Sequence, residues 1–255
     1  MISYPNVKLN LGLHVLRKRP DGYHDLETLF VPYMGISDVL ELNEAPEDSI
    51  DIQGSTWDIY TDLCWRALGL IKADFDIPPV RIDLLKRAPV GAGLGSGSSD
   101  AAFTLKMLNS MFSLGLSDEA LAGYAARIGS DCAFFIYNTP MLGEGRGEVL
   151  APFDIDLGAY DIRVEIPAGV SVSTREAYSG IVPRDKCGLA DGPSLREILS
   201  LPVEQWKGAL VNDFEKTVFA VHPEIEALKE SFYDRGAVYA AMSGSGSSVF
   251  GIFRK

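Results

Sequence analysis

The chain has 255 residues, 47% of them hydrophobic and 23% charged, enough for one large domain or two modest ones around a buried core. A formal net charge of -12 argues against a protein that coats DNA or RNA, because nonspecific binding there rests on lysine and arginine neutralising phosphates. Local basic clusters at Arg17, Lys18 and Arg19 and at Lys86 and Arg87 leave room for a small anionic ligand. Cys64, Cys132 and Cys187 are odd in number and far from any CxxC spacing, which argues against a disulfide framework or a zinc ribbon and fits a reducing cytosol. Lys8 and Asn10 interrupt the first apolar stretch, so no signal peptide is expected, and no apolar run approaches membrane-spanning length. The expectation is a soluble cytoplasmic protein with neither a membrane nor a nucleic-acid partner.

Residues 7–15, VKLNLGLHV, alternate strictly and predict a strand. Val7, Leu9, Leu11, Leu13 and Val15 form the face expected to be buried. Lys8, Asn10, Gly12 and His14 form the other, which taken alone reads as a solvated face. Pro20-Asp21-Gly22 is turn chemistry, and Leu26 to Val31 resume a strand. Further strands are expected at 38–42 and 49–53, separated by an acidic turn around Glu44 to Asp48. In residues 61–73, Leu63, Ala67 and Leu70 fall at helical spacing with Thr61 as N-cap. VRIDLLKR, 80–87, alternates again and runs into PVGAGLGSGSSDAA.

After that loop, Ala101, Leu105, Leu108 and Phe112 predict one face of a helix beginning near Ser98 to Asp100. A second helix is expected over 117–128, with Ser117 as its cap and Asp118 and Glu119 at its positive end. Strands are expected at 162–166, 238–242 and 249–253, and helices at 194–200 and 223–234, the latter with Pro223 in its first turn. Residues 183–193 read as a polar loop. Short polar turns between the early strands suggest antiparallel pairing, so the class is α+β rather than a doubly wound parallel sheet.

The glycine-rich loop carries the chemistry. No lysine follows its glycines, so it is not a GxxxxGK[ST] loop, and Gly91-Ala92-Gly93-Leu94-Gly95-Ser96 ends in serine where GxGxxG needs glycine. What remains is a strand, a Gly/Ser loop and a helix. Backbone N–H groups in such a loop form an anion nest, and the helix N-terminus adds positive partial charge. Ser98 and Ser99 can donate hydroxyls to phosphate or hold magnesium. A flexible surface turn would not need a strand on one side and a small-residue helix start on the other. Asp131, in RIGSDCAFF, reads on its own as a capping or turn aspartate. AAMSGSGSSVFGIF, 240–253, reads as a hairpin with a glycine-containing turn. His14, His24 and His222 support neither a multi-histidine metal site nor a Ser-His-Asp triad, and His222-Pro223 reads as a helix start.

Together these segments resemble the GHMP kinase superfamily. The lysine-free loop from Pro89 to Ser99 is similar to its central motif, and SGSGSSVFG to its third. PNVKLNLGL followed by KRPDGYHDLETLF is similar to the first motif of a narrower branch, as are IGSDCAFF and GEGRGE. Members of that branch use MgATP to phosphorylate the 2-hydroxyl of a diphosphocytidyl methylerythritol in the non-mevalonate route to isoprenoids. The resemblance implies a GHMP fold with an ATP-binding domain over 1–155 and a ferredoxin-like domain over 156–255 that contributes to substrate binding. It implies Lys8 and Asp131 as the catalytic pair, Asp131 as proton acceptor and Lys8 as its cation. Pro89, Gly91, Ala92, Gly93, Leu94, Gly95, Ser96, Gly97, Ser98 and Ser99 would take the ATP, with magnesium carried on the nucleotide and Ser99 the one candidate side-chain ligand. Tyr23 and Tyr178 would sandwich the cytosine while His24 reads its edge, with Asn10 and Thr174 nearby; a monomer or weak homodimer is expected.

The sequence departs from the pattern in three respects. Ser96 replaces a third glycine, and Asp62 replaces an asparagine usual near the nucleotide, where a negative charge is unfavourable. A C-terminal extension seen in longer relatives is expected to be short or missing. Two alternatives stay open: a homoserine- or mevalonate-type kinase, which needs no cytosine sandwich, and a ligand sensor on the same fold, against which an intact Lys8 and Asp131 count.

Overall fold

The computed structural model describes residues 1–54, 58–186 and 192–255, so Cys187 and the centre of the predicted 183–193 loop lie outside the described residues. The chain forms two compact units, each assembled from separate stretches. Unit 1 comprises Met1–Lys8, Pro32–Val90 and Gly95–Thr139; unit 2 comprises Leu9–Val31, Gly91–Leu94 and Pro140–Lys255.

The first part of the chain supplies β1 (Ile2–Ser3), β2 (Asn6–Lys18), β3 (His24–Ser37), β4 (Val39–Glu44) and β5 (Ser49–Gln53), then α1 (Leu63–Asp74) and β6 (Val80–Leu85). Unit 1 holds a sheet of order β1-β4-β6-β5. The acidic turn between β4 and β5 does not make a hairpin, because β6 lies between them. β6 is antiparallel to β4 and parallel to β5, with Ile50 opposite Ile82 and Ile52 opposite Leu84. Parallel neighbours need a crossover, and α1 provides it. The cap of α1 is Asp62 rather than Thr61. Its carboxylate accepts from the Cys64 amide at 2.7 Å, and the buried face is Cys64, Ala67, Leu68 and Ile71.

Unit 1 continues with α2 (Ser96–Met111), α3 (Asp118–Ala126) and α4 (Cys132–Tyr137). α2 begins earlier than its apolar spacing suggests, because Gly95 turns the chain at the N-cap with φ of 70°. Ala101, Leu105 and Leu108 are fully buried, and Phe112 closes the helix only half-buried. Ser117 caps α3 as expected, accepting from the Ala120 amide at 3.3 Å. α4, CAFFIY, is not visible in the sequence as a helix. It is apolar on every side because it is buried on every side, so it lacks a periodic signal. α1 packs on α2, and α4 packs on both α2 and α3.

Unit 2 contains β7 (Met141–Gly145), β8 (Val149–Pro152), β9 (Tyr160–Glu165), α5 (Thr174–Ser179), α6 (Leu195–Leu199), α7 (Glu215–Val221), α8 (Pro223–Asp234), β10 (Tyr239–Met242) and β11 (Val249–Arg254). One sheet has the order β2-β3-β7-β8, with Leu26 opposite Gly145 and Phe30 opposite Met141. The other has the order β10-β11-β9, antiparallel throughout. α8 covers β10 and β11, and its Phe232 belongs to a core with Leu13, Val15, Phe214, Val218 and Val249. Antiparallel sheets with helices packed on them fit the α+β class. No helix among the described residues is long and apolar enough to cross a membrane.

The strand β2 departs from expectation in one respect: residues 6–15 are buried on both faces. Lys8, Asn10 and His14 are 4%, 2% and 1% exposed, so the solvated-face reading fails. Part of the cover comes from residues 211–213, which run beside the strand: Leu13 donates to Val211 O at 3.0 Å and receives from the Asp213 amide at 2.8 Å. Burial, then the charge of Arg184, pushes His14 down from 6.5 to about 4, with Asp213 opposing. The folded value lies below the unfolded one, so the contribution of His14 to stability is full above about 6.5 and is lost as pH falls toward 4. His14→Gln should therefore flatten the fall of melting temperature across that window. An unchanged slope in a pH series of thermal melts would refute this account of His14.

Candidate active site

Lys8 and Asp131 meet in unit 1. Lys8 Nζ lies 3.5 Å from Asp131 Oδ2, with the lysine side chain 5% exposed and the aspartate 31%. Burial pulls the Lys8 ammonium below the ordinary lysine value, while the charge and hydrogen bond of Asp131 act against that shift. Asp131 stands at the N-cap of α4, but its backbone is already αR and its side chain makes no capping bond. The capping explanation therefore does not account for this aspartate. Its carboxylate faces Lys8 and remains accessible.

The start of α2 closes on the same lysine. A Cβ at Gly95 would sit 3.2 Å from Lys8 Cε and 3.2 Å from Phe135 Cε2, and the residue's φ is +70°. Only glycine meets both demands, so the positive end of α2 reaches Lys8. The Ser99 hydroxyl is fully buried and has no hydrogen-bond partner among the described residues. Among the described residues no group of three or more His, Cys, Asp or Glu could hold a metal. The orphaned Ser99 hydroxyl is of a kind that could ligate a magnesium arriving on a triphosphate. Asp62 caps α1, which gives it a structural task independent of any nucleotide.

Residues Gly91–Leu94 belong to unit 2 and rest on the late Gly/Ser hairpin between β10 and β11. Ser248 donates from its amide and from its hydroxyl to Ala92 O, at 3.1 and 2.6 Å. Ser243 Oγ donates to Gly93 O at 3.3 Å, and a Cβ at Gly93 would run into the Ser243 carbonyl oxygen. Similar composition in the two loops thus corresponds to direct contact. Asn10 joins this assembly. Its amide group donates to Thr28 Oγ1 at 2.9 Å, and its backbone N–H donates to Ser243 Oγ at 3.2 Å.

A third group, also in unit 2, is aromatic. The His24 and Tyr178 rings stack at 4.8 Å with an interplanar angle of 21°, and Tyr178 meets Phe214 edge-on at 4.7 Å. Tyr23 is 57% exposed, with the Arg146 guanidinium 5.0 Å from its ring centroid. The pair that stacks is thus His24 with Tyr178, while Tyr23 stands beside Arg146. Thr174 is exposed and opens α5 behind the Ser173 cap. Burial, then the charge of Lys18, lowers the pKa of His24, so its imidazole is neutral at neutral pH and can both donate and accept. The turn that carries Tyr23 and His24 is fixed by Asp21, which accepts from the Tyr23 amide at 3.1 Å, and by Arg19, whose amide donates to Tyr23 O at 2.8 Å. The supporting residues Arg146, Phe214, Ser243 and Ser248 were not singled out from sequence. Only GEGRGE and SGSGSS, which contain three of them, gave any signal.

Two family models match the chain: the GHMP kinases N terminal domain over residues 62–139 and the GHMP kinases C terminal domain over residues 193–255. With a lysine-free Gly/Ser loop opening α2, the chain belongs to the GHMP kinases, an ATP-dependent family. It is 48% identical over 262 residues to the 4-diphosphocytidyl-2-C-methyl-D-erythritol kinase of Bacteroides fragilis, covering 99% of this chain and 92% of that one. It is 44% identical over 261 residues to the kinase of the same name from Azobacteroides pseudotrichonymphae, covering 100% and 94%. The crystal structure of a 4-(cytidine 5'-diphospho)-2C-methyl-D-erythritol kinase superposes with a TM-score of 0.80 at 33% identity, covering 99% of this chain and 90% of that one. Within the GHMP kinases the chain is a member of this branch.

Gly95→Ala should lower kcat/KM for ATP by roughly 10- to 100-fold, since displacing Lys8 and the start of α2 misplaces the reacting groups. Steady-state kinetics with varied ATP measure this; full activity would show that the close approach of Gly95 to Lys8 is not needed.

Proposed function

We propose that the chain transfers the γ-phosphoryl group of ATP to the 2-hydroxyl of 4-(cytidine 5'-diphospho)-2-C-methyl-D-erythritol, a step of the non-mevalonate route to isoprenoid precursors. The whole-chain likeness to kinases of that name carries the reading, and the buried Lys8 beside an accessible Asp131 supports it. Asp131 takes the proton of the 2-hydroxyl as its oxygen attacks the γ-phosphorus, and ADP leaves. Lys8 faces the charge of the phosphoryl group from a site where little water screens it. Phosphoryl transfer depends mainly on alignment and electrostatics, so a weak carboxylate base is sufficient.

Pro89 and Gly91 to Ser99 bind the triphosphate through main-chain N–H groups, the start of α2 and serine hydroxyls. Magnesium, carried with ATP and met by Ser99, neutralises charge on the phosphate oxygens when bound. Tyr23 and Tyr178 flank the cytosine, His24 reads its polar edge, and Asn10 and Thr174 complete the substrate contacts. A buried hydrogen-bonding edge discriminates strongly, because a wrong base leaves polar groups unpaired. In this reading residues 1–155 carry ATP binding and residues 156–255 contribute to substrate binding. The enzyme works in the cytoplasm on a small molecule, as a monomer or weak homodimer, without nucleic acid or membrane.

The test is ADP formation by the purified chain with MgATP and the diphosphocytidyl substrate, against homoserine and mevalonate as controls. Turnover of the cytidyl substrate alone is expected. A folded sample that forms no ADP, or that accepts the controls equally, would refute the reading. Asp131→Ala should lower kcat by about 10²- to 10⁴-fold with ATP affinity retained. Tyr23→Ala should raise KM for the cytidyl substrate roughly 10- to 100-fold, the range expected for a lost base stack.

A further inference from the structure

The Gly/Ser loop leaves β6 and returns to α2, and in unit 1 its two ends are tied together by a buried cluster of charged side chains. Lys86 follows β6 directly; Asp100 lies in α2; all of Arg87–Ser99 runs between them. Lys86 Nζ donates to Asp100 Oδ2 at 2.6 Å and to Asp38 Oδ2. Asp38, just before β4, uses its other oxygen for the amides of Arg87 and Ala88, at 2.6 and 2.8 Å. The Lys86 amide in turn donates to Gln53 O at 2.8 Å. The side chains of Lys86, Asp38 and Asp100 are 2%, 0% and 2% exposed.

Such a cluster is costly. Buried ion pairs are often no more stable than apolar residues of the same volume, so core packing alone does not account for three charged groups here. Burial pushes the Asp100 carboxyl up while Lys86 pulls it down, and among the described residues one of its oxygens has no hydrogen-bond partner. What the cluster supplies is geometry: one ammonium bridges the strand side and the helix side of the loop, and one carboxylate fixes the first two backbone N–H groups after Lys86.

We propose that Asp38, Lys86 and Asp100 are positioning residues for the ATP loop, holding its two ends at the separation that triphosphate binding requires. The proposal rests on the kinase reading above, in which this loop binds ATP. None of the three touches the nucleotide through its side chain in this account; they act through the main chain of residues 87–99.

The experiment measures KM for each substrate and the Kd of a non-hydrolysable ATP analogue for the full chain and for Asp100→Ala, Lys86→Met and Asp100→Asn. Asp100→Ala and Lys86→Met should raise KM and Kd for the nucleotide roughly 10- to 100-fold, the scale of misplaced binding groups. KM for the cytidyl alcohol should stay within about twofold, a split that general destabilisation does not produce. Asp100→Asn keeps an oxygen for Lys86 and should recover most of the nucleotide affinity. If Asp100→Ala does not fold, Asp100→Glu, which keeps the charge but overfills the site, carries the same expectation. Unchanged nucleotide affinity in a folded variant, or equal losses for both substrates, overturns the proposal. An active parent chain with unaffected variants refutes the positioning role alone, whereas a folded parent chain without turnover refutes the kinase reading on which it rests.

Discussion

The buried ammonium of Lys8 beside the accessible carboxylate of Asp131 is the constraint on which the start of α2 and the start of α4 converge. Taking Lys8 out of water is unfavourable by several kcal/mol unless partners compensate. Asp131 is one partner, at 3.5 Å, looser than the roughly 2.8 Å of a tight charge-assisted contact. The aspartate can face Lys8 because it is not used as a helix cap, its backbone having already entered the helical region at the start of α4. The start of α2 can approach because residue 95 has no side chain.

In the proposed function, this arrangement lets the Gly/Ser loop take phosphate without a lysine of its own. A loop of glycines and serines offers main-chain N–H groups and a helix N-terminus, whose partial charges do not need a side chain. The full positive charge sits on a strand instead. A lysine on a strand buried on both faces has little freedom to move, whereas one on a glycine loop would have to be ordered on binding. The cost of flexibility in the loop is met in unit 2 by Ser243 and Ser248, which hold the carbonyls of Ala92 and Gly93. Fixed donors of this kind favour phosphoryl transfer, where positioning and electrostatics dominate.

The aromatic group of unit 2, to which the proposed function assigns the base, draws on different physics. His24 stays neutral because burial and Lys18 both disfavour its charged form. A neutral imidazole stacks well on Tyr178 and keeps both a donor and an acceptor. The arginines and aspartates around the β2–β3 turn are paired among themselves: Arg17 and Arg19 both bond to Asp25, and Arg19 also to Asp21. That pairing stiffens the turn carrying Tyr23 and His24. Arg146 over the Tyr23 ring adds a cation at a position whose role the chain's composition does not announce.

Local patterns determined much of this protein from sequence alone. Strict alternation located β2 and β6, the spacing of Ala101, Leu105 and Leu108 located α2, and the strand–glycine loop–helix order placed the glycine loop between β6 and α2. These signals are legible because each depends on residues close in sequence: backbone periodicity, glycine at turns, serine at a cap. The tertiary structure decided what depends on distant partners. It placed β6 between β4 and β5, where a short turn had suggested a hairpin. It moved the cap of α1 from Thr61 to Asp62, and it hid α4, whose all-round burial erases periodicity. Above all it buried both faces of β2, so that Lys8, which alternation alone assigns to solvent, meets Asp131. Whether a polar residue on a strand faces water or a partner is set by what packs over it, and the strand's own sequence does not contain that layer.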